Sequence, residues 1–294
     1  MKVGVYGQYY KDETTSYIKS LLKLLHQKNI EVAIEENFYN AFKNENLPLN
    51  NYKTFNHYTD LDNSYEVMFT VGGDGTFLRA VTYVRDLKIP ILGINVGRLG
   101  FLATVQKDEI SEAIELLINK KYIINKRTLL SISTSKKNED LSEINFALNE
   151  VSVSRRNTTS MITVETYLDD EYLTSYWADG LIIATPTGST GYSLSCGGPV
   201  ITPSTKSLVV TPIAPHNLNA RPLVIPETTK IRLKINAREK LALVSLDSRI
   251  TTVDCDTEVF IEKAPFSLKT IQLSDHTFLK TLREKLLWGE DKRN

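Results

Sequence analysis

One segment constrains the fold of this chain more than any other: Glu66-Val67-Met68-Phe69-Thr70-Val71-Gly72-Gly73-Asp74-Gly75-Thr76-Phe77. A β-branched and aromatic run enters a glycine-rich turn holding one carboxylate, and a helical pattern resumes from Thr76 to Val84. Strand, glycine turn and helix start form the local geometry that holds phosphates, because unpaired helix N–H groups point at the anion. The glycines permit close backbone approach and positive φ. Gly72, Gly73, Gly75 and Thr76 are therefore the candidate phosphate loop. Asp74 is its odd member. A carboxylate there repels a phosphate unless it holds a metal, binds a hydroxyl or removes a proton, which points to phosphoryl transfer to an alcohol. A plainer reading stays open, in which Asp74 caps the helix of a tight turn, since glycine and aspartate are ordinary turn residues. No Lys-Ser/Thr closes the loop, so it is not a Walker A P-loop, and it lacks the G-x-G-x-x-G spacing.

Strand and helix patterns alternate on either side of this loop. Lys2 to Tyr6, Ile30 to Ile34, Glu66 to Val71 and Ile89 to Asn95 read as strands. Glu13 to Lys28 reads as a helix with Tyr17, Ile18, Leu21, Leu22, Leu24 and Leu25 on its apolar face. Asp108 is expected to cap another helix, which carries Ile110, Ala113, Ile114, Leu117 and Ile118. Strands separated by helices imply a mostly parallel sheet whose ligands gather at the strand C-terminal ends. The first glycine loop and a second, Gly97-Arg98-Leu99-Gly100-Phe101, both follow such ends.

From about Tyr122 the texture changes to short alternating runs: Leu129 to Thr134, Phe146 to Ser154, and Met161 to Leu168 before an Asp169-Asp170 turn. Leu181 to Ala184, Leu208 to Thr211, Ile231 to Ile235, Leu241 to Leu246 and Val259 to Ile261 continue the series. Such spacing argues an all-β domain. Helical spacing returns at Phe278, Leu279, Leu282, Leu286 and Leu287, before Gly289. A lone helix after a β domain needs a surface, and the first domain is the expected one. The expected fold class is α/β plus all-β. An N-terminal Rossmann-like parallel-sheet domain takes residues 1–121 and 275–294, and a C-terminal β-sandwich-like domain takes 122–274.

The chain has 294 residues, room for one large or two ordinary domains. Its 35 Lys and Arg balance 35 Asp and Glu, so no overall field draws it to nucleic acid or an anionic membrane. Phosphate binding has to be local. No apolar run approaches membrane length, and Met1 to Gly7 is too short and polar for a signal peptide. Cys196 and Cys255 show no metal or redox spacing. A reduced, cytoplasmic protein is expected.

A second constellation begins at Asp179-Gly180 and continues through Thr185-Pro186-Thr187-Gly188-Ser189-Thr190-Gly191-Tyr192-Ser193-Leu194-Ser195-Cys196-Gly197-Gly198-Pro199. Its hydroxyls and glycines exceed what a hairpin needs and suit a sugar, a base edge or a diphosphate. The alternative is a long β-domain loop built from Ser/Thr turns. The stretch Gly191 to Ser195 departs from G-x-S-x-G at its last position and lies in the β half, against a serine hydrolase. Asn149-Glu150 interrupts an apolar strand pattern. One of the two should face inward, and burying it unpaired costs about 1–3 kcal/mol unless a ligand provides the partner. An edge-strand pair facing water is the other reading. His216 alone reads as a loop residue at the surface, and His26, His57 and His276 are assigned no role.

Taken jointly, Gly72-Gly73-Asp74-Gly75-Thr76, Asn95-Val96-Gly97-Arg98-Leu99-Gly100-Phe101-Leu102, Asn149-Glu150, Asp179 with Thr185 to Tyr192, and Ala220-Arg221-Pro222-Leu223-Val224 resemble the bacterial NAD kinases. The resemblance covers nearly the whole chain, with the motifs in the family's order. It implies phosphoryl transfer from ATP to the 2′-hydroxyl of the adenosine ribose of NAD, Mg2+ arriving with ATP and no dedicated protein metal site. It also implies a homodimer or homotetramer.

Carried over by position, Asp74 looks like the general base near that hydroxyl, with Gly75 beside it. Asn149 and Glu150 look like ribose and adenine-side contacts, and Asp179 like a partner of the nicotinamide half. Thr187, Thr190, Gly191, Tyr192, Ser193, Leu194 and Ser195 look like the wall that binds adenine and the adjacent backbone. Phe101 would cover the adenine, Arg79 would contact phosphate, and Ala214 is a further NAD contact. Trp177 stands where many members carry a basic residue, two positions before the aspartate, and Gly191 and Cys196 replace alanines. Two rivals follow from the same motifs. A lipid kinase of the same superfamily does not explain Asn149-Glu150 or the threonine loop, and the intact Asp74 argues against a non-catalytic NAD(P)-binding sensor.

Overall fold

The computed structural model describes residues 1–9, 11–45, 48, 51–156, 160–273 and 276–288, with main chain only at 11–13. Gly289 lies outside them. In chain order the elements begin with β1 (Lys2–Gly7), α1 (Lys11–Gln27), β2 (Glu31–Glu35), α2 (Glu36–Phe42) and β3 (Lys53–Phe55). β4 (Val67–Gly72), α3 (Asp74–Val84), β5 (Ile91–Asn95), β6 (Ala103–Val105) and α4 (Ile110–Ile118) follow. Next come β7 (Ile123–Thr134), α5 (Asp140–Glu143), β8 (Phe146–Ala147), β9 (Glu150–Arg155), β10 (Ile162–Leu168), β11 (Glu171–Ala178) and β12 (Gly180–Ala184). The chain continues through α6 (Tyr192–Ser195), β13 (Ser207–Ile213), β14 (Leu223–Pro226), β15 (Ile231–Asn236), β16 (Leu241–Leu246), β17 (Arg249–Asp254), β18 (Glu258–Gln272) and α7 (Phe278–Leu286). Two compact units result: Met1–Lys126 with Leu268–Asn294, and Arg127–Ser267.

In the first unit the strands lie in the order β18, β5, β4, β1, β2, β3, and every pairing is parallel. Helices cover both faces, so the central strands read as unbroken apolar runs. Val3, Val5, Val67, Phe69, Val71, Leu92 and Ile94 face Leu21, Leu22 and Leu25 of α1 and Ile110, Ile114 and Leu117 of α4 in one buried cluster. Phe77, Ala80, Val81 and Val84 form the buried side of α3. The last helix belongs to this unit, as its amphipathic pattern predicts. Thr281 and Leu282 are buried, the Phe278 ring lies 6.0 Å from Phe101, and His276 Nε2 lies 3.5 Å from Glu109.

The second unit holds two antiparallel sheets. β11, β10, β15 and β18 run in one, with β7 beside β18 and β8 beside β7, and β14, β13, β12, β9, β16 and β17 form the other. Alternate residues share one core, among them Val151, Val153, Leu181, Ile183, Val164, Leu233 and Ile261. This is the packing of a β-sandwich. Asp169 and Asp170, at φ 49° and 67°, make the tight turn between β10 and β11. Ile182, Ala184 and Val209 point the other way, into a small cluster with Ile201.

Several local expectations change. Asp108 does not cap α4: the N-cap is Glu109, without a side-chain cap bond, and its carboxylate accepts from Gln106 N at 2.7 Å. The preceding residues form a turn, which shifts the helix start past Asp108. Phe146 to Ser154 is two strands, broken at Leu148 and Asn149. The short elements α2 and β3 and the strands β11 and β17 were not legible, because charged, amide and hydroxyl residues interrupt their patterns, and β14 was not because it is a four-residue run next to Pro222 that ends on Pro226.

Removing the chain from His276 onward is expected to destabilise the first unit by at least about 2 kcal/mol, the usual effect of deleting buried apolar side chains. Thermal unfolding with amide exchange on β5 and α4 checks this. An unchanged midpoint would detach the helix from that unit's stability.

Candidate active site

In the first unit, β4 ends at Gly72 with φ at 154°, where a Cβ would overlap the Thr76 side chain. The N-cap of α3 is Gly73, with no side chain to offer, and the amides of Thr76 and Phe77 donate to its carbonyl at 3.0 and 3.1 Å. Asp74 therefore opens the helix without capping it. Its carboxylate turns to the second glycine loop. Oδ2 accepts from Phe101 N at 2.8 Å, and Oδ1 from Leu102 N and Ala103 N at 3.0 Å each. A Cβ on Gly100 would overlap Oδ1, so that glycine makes the approach possible. Asn95, at the end of β5, ties the same loop by donating to the Ala103 carbonyl at 3.0 Å. Lys285 of α7 brings its ammonium to 3.9 Å from Asp74 Oδ2 and 5.2 Å from the centre of the Phe101 ring.

Phe101 is half-buried, its ring engaged by Phe278 and Lys285. Gly75 is exposed, with open space where a Cβ would sit. Arg79 is exposed on α3, and its charge opposes the upward push that burial gives the Tyr6 phenol.

The second unit arranges the polar pair through a residue that sequence reasoning missed. Asp247 accepts hydrogen bonds from Leu148 N, Asn149 N and Glu150 N at 3.0, 2.8 and 3.2 Å. From the other side, Thr185 N donates to the Asn149 carbonyl at 2.8 Å and Thr185 Oγ1 to the Leu148 carbonyl at 2.6 Å. A Cβ on Gly188 would overlap the Asn149 carbonyl. The β8–β9 junction is thus clamped by main chain, the Asp247 carboxylate and the Thr185 hydroxyl. Its side chains keep unmet demand. Asn149 Oδ1 and Glu150 Oε2 are buried without a hydrogen-bond partner. Gly191 lies against them: a Cβ there would sit 3.3 Å from Glu150 Oε2 and 3.5 Å from Asn149 Nδ2.

Burial, then the neighbouring Asp247, pushes the Glu150 carboxyl up to about 8. Burial also raises Asp247, against the lowering by its three amide donors. A neutral Glu150 both donates and accepts. Because its folded value lies above the ordinary 4.5, the stability it contributes is complete below pH 4.5. It is lost as pH climbs to about 8, since the unfolded carboxyl ionises first. Wild-type and Glu150→Gln melting temperatures should therefore diverge over that window. Parallel curves would show that Glu150 is not held protonated.

The threonine loop uses many of its hydroxyls internally. Ser189 bridges Pro186 and Ile201, Thr190 donates to the Thr187 carbonyl, and the fully buried Ser193 hydroxyl is hydrogen-bonded to that of Thr211 at 2.8 Å. Thr187 is buried, Leu194 half-buried, and Tyr192 and Ser195 face outward. Asp179 pairs with Arg155 at 2.8 Å, a partner the sequence did not reveal. Exposed Ala214 holds φ at 43°, an uncommon value for a residue with a Cβ. Nearby, the Trp177 ring lies 4.3 Å from that of His216, whose amide donates to the Trp177 carbonyl at 2.9 Å.

A parallel-sheet unit with a carboxylate-bearing glycine turn, followed by an antiparallel unit with a buried polar pair and a hydroxyl-rich loop, defines a nucleotide phosphotransferase. Two family models match the chain: the ATP-NAD kinase N-terminal domain over residues 3–122 and the ATP-NAD kinase C-terminal domain over 148–273. The chain belongs to the NAD kinase family. It is 58% identical over the full length of both chains to an NAD kinase of Christiangramia forsetii, and 58% to one of Flavobacterium psychrophilum. An NAD kinase from Archaeoglobus fulgidus in complex with ATP superposes with a TM-score of 0.73 at 27% identity, covering 98% of this chain and 99% of that one. Yeast NADH kinase complexed with NADH shares the fold, with a TM-score of 0.89 at 24% identity, covering 99% and 88%.

Proposed function

We infer that this protein phosphorylates NAD. It transfers the γ-phosphoryl group of ATP to the 2′-hydroxyl of the adenosine ribose and releases NADP and ADP. The observation that carries the mechanism is the Asp74 carboxylate, held by three main-chain donors beside a glycine turn. Asp74 Oδ2, which has one amide donor, takes the hydroxyl proton as the ribose oxygen bonds to the γ-phosphorus. The bond to the bridging oxygen breaks, and its electron pair leaves with ADP. Such transfer depends mainly on positioning and charge neutralisation, which the glycine turn and the start of α3 are built to provide.

Among the described residues, no three His, Cys, Asp or Glu side chains converge on one point. In this reading magnesium would enter on the ATP phosphates and would offset their charge there. Gly72, Gly73, Gly75 and Thr76 are assigned to phosphate. Asn149, Glu150, Asp179, Ala214 and the wall from Thr187 to Ser195 are assigned to NAD, as are Phe101 and, for phosphate, Arg79. In this reading residues 1–121 and 275–294 form the phosphate-loop domain, and 122–274 the NAD-binding domain. A homodimer or homotetramer working in the cytoplasm completes the proposal. Among the described residues no helix is long and apolar enough to cross a membrane.

The unpartnered Asn149 Oδ1 and Glu150 Oε2 lead to a specific expectation. The double variant Asn149→Ala/Glu150→Ala should weaken NAD binding by about 2–4 kcal/mol, two lost buried hydrogen bonds, while ATP binding stays near wild type. Calorimetry on the folded variant checks it, and equal NAD affinity would remove the pair from the site. The function is tested by incubating the protein with magnesium-ATP and NAD, NADH or a diacylglycerol acceptor. NADP formation supports the reading, and phosphorylation of the lipid alone overturns it.

A further inference from the structure

The phosphate loop carries a carboxylate and no lysine of its own, and Arg79 in the following helix lies close enough to Tyr6 for its charge to act on that phenol. A cation reaches the loop from elsewhere in the same unit. Lys285 projects from the last turn of α7 to 3.9 Å from Asp74 Oδ2, the carboxylate oxygen with a single amide donor. The Phe101 ring, 5.2 Å from the ammonium, steadies it by cation–π attraction. The helix itself is anchored on this loop by Phe278 against Phe101. The Lys285 side chain is 37% exposed and its contact with Asp74 is long. An ion pair of this kind holds weakly and can exchange partners.

We propose that Lys285 is the cation of the phosphate loop and a further catalytic residue. In the unliganded protein it rests against Asp74. When ATP binds, the ammonium turns to the γ-phosphoryl oxygens, which leaves Asp74 Oδ2 open to the ribose hydroxyl. During transfer Lys285 offsets the charge on the transferring group and exchanges no proton. The proton goes to Asp74, and the electron pair of the broken bond leaves with ADP. This rests on the NAD kinase reading. The structural alternative is a lysine that merely complements the C-terminal dipole of α7.

The test compares wild type, Lys285→Met and Lys285→Arg, with melting temperature, kcat, and KM for ATP and NAD measured on each. A wild-type enzyme that makes no NADP refutes the functional reading itself, and this proposal with it. With wild type active, Lys285→Met should lower kcat about 10–100-fold, the loss of one charge-assisted contact made in the transition state. Its melting temperature and its KM for NAD should stay near wild type, and Lys285→Arg should recover most of the rate. The exposed side chain leaves the fold no reason to reject methionine. Unchanged kcat in Lys285→Met overturns the proposal, as does a rise in KM for NAD alone. A lowered melting temperature with normal turnover also overturns it, and assigns Lys285 to the helix dipole.

Discussion

Asp74→Asn is expected to lower the rate of NADP formation by about 10²–10⁴-fold, the usual cost of removing a general base, while NAD affinity changes only a few-fold. The hydrogen bonds make this a demanding substitution. An amide can keep one oxygen on Leu102 N and Ala103 N, as Oδ1 does now. Its NH2 then meets Phe101 N, donor against donor, where Oδ2 accepts at 2.8 Å. The variant should fold, since one loop hydrogen bond is worth about 0.5–1.5 kcal/mol, but Phe101 N should exchange faster. Steady-state turnover of the purified variant is the measurement. Near-normal kcat would mean that Asp74 only organises the Gly97 to Ala103 loop.

The second large effect is expected at Asp247. Asp247→Ala removes the acceptor from three successive, partly buried amides at once, and each orphaned donor costs up to about 1–3 kcal/mol. Water entering the vacated space recovers part of this, so a net destabilisation of about 3–5 kcal/mol is expected, comparable with breaking a buried charged network. NAD affinity should fall with it, because these amides orient Asn149 and Glu150. Asp247→Asn keeps one acceptor oxygen and should lose about half as much. Denaturant unfolding and NAD titration of both variants check the order. If the alanine variant is as stable as wild type, the clamp on the β8–β9 junction is not set by this carboxylate.

How far the sequence reaches can be read from these two aspartates. Asp74 stands out because its chemistry is anomalous where it sits: a carboxylate in a glycine turn of the kind that suits phosphate needs an explanation even without a structure. Asp247 lies in Leu246-Asp247-Ser248, an ordinary strand-end turn, and the amides it holds are far away in the chain. No local pattern reports such a pairing. The same distance hides Arg155 from Asp179 and Lys285 from Asp74. Asn149-Glu150 was visible as a polar interruption, and Asn149 Oδ1 and Glu150 Oε2 are indeed buried without partners. The threonine loop was legible as a concentration of hydroxyls, but not the division between those tied inward, such as Ser193, and those facing out, such as Ser195. The large elements were legible because apolar periodicity is a local property. The edge strands β11, β14 and β17 were not, since a strand with one open side tolerates nearly any residue there.

The first unit is discontinuous in the chain: Leu268 onward, including α7, joins Met1–Lys126 only after Arg127–Ser267 has intervened. A ribosome adding roughly 5–20 residues per second exposes the early segment for about ten to thirty seconds before its missing strand and helix arrive. During that interval the parallel sheet lacks the β18 neighbour of β5, and Asp74 has neither Lys285 nor the Phe278 anchor beside its loop. The middle of the chain, with all of its own strands, is complete first. A nascent chain halted before Phe278 would thus hold a finished β-sandwich and a glycine turn whose Asp74 still lacks α7, and the capacity for the proposed chemistry would be among the last properties that synthesis confers.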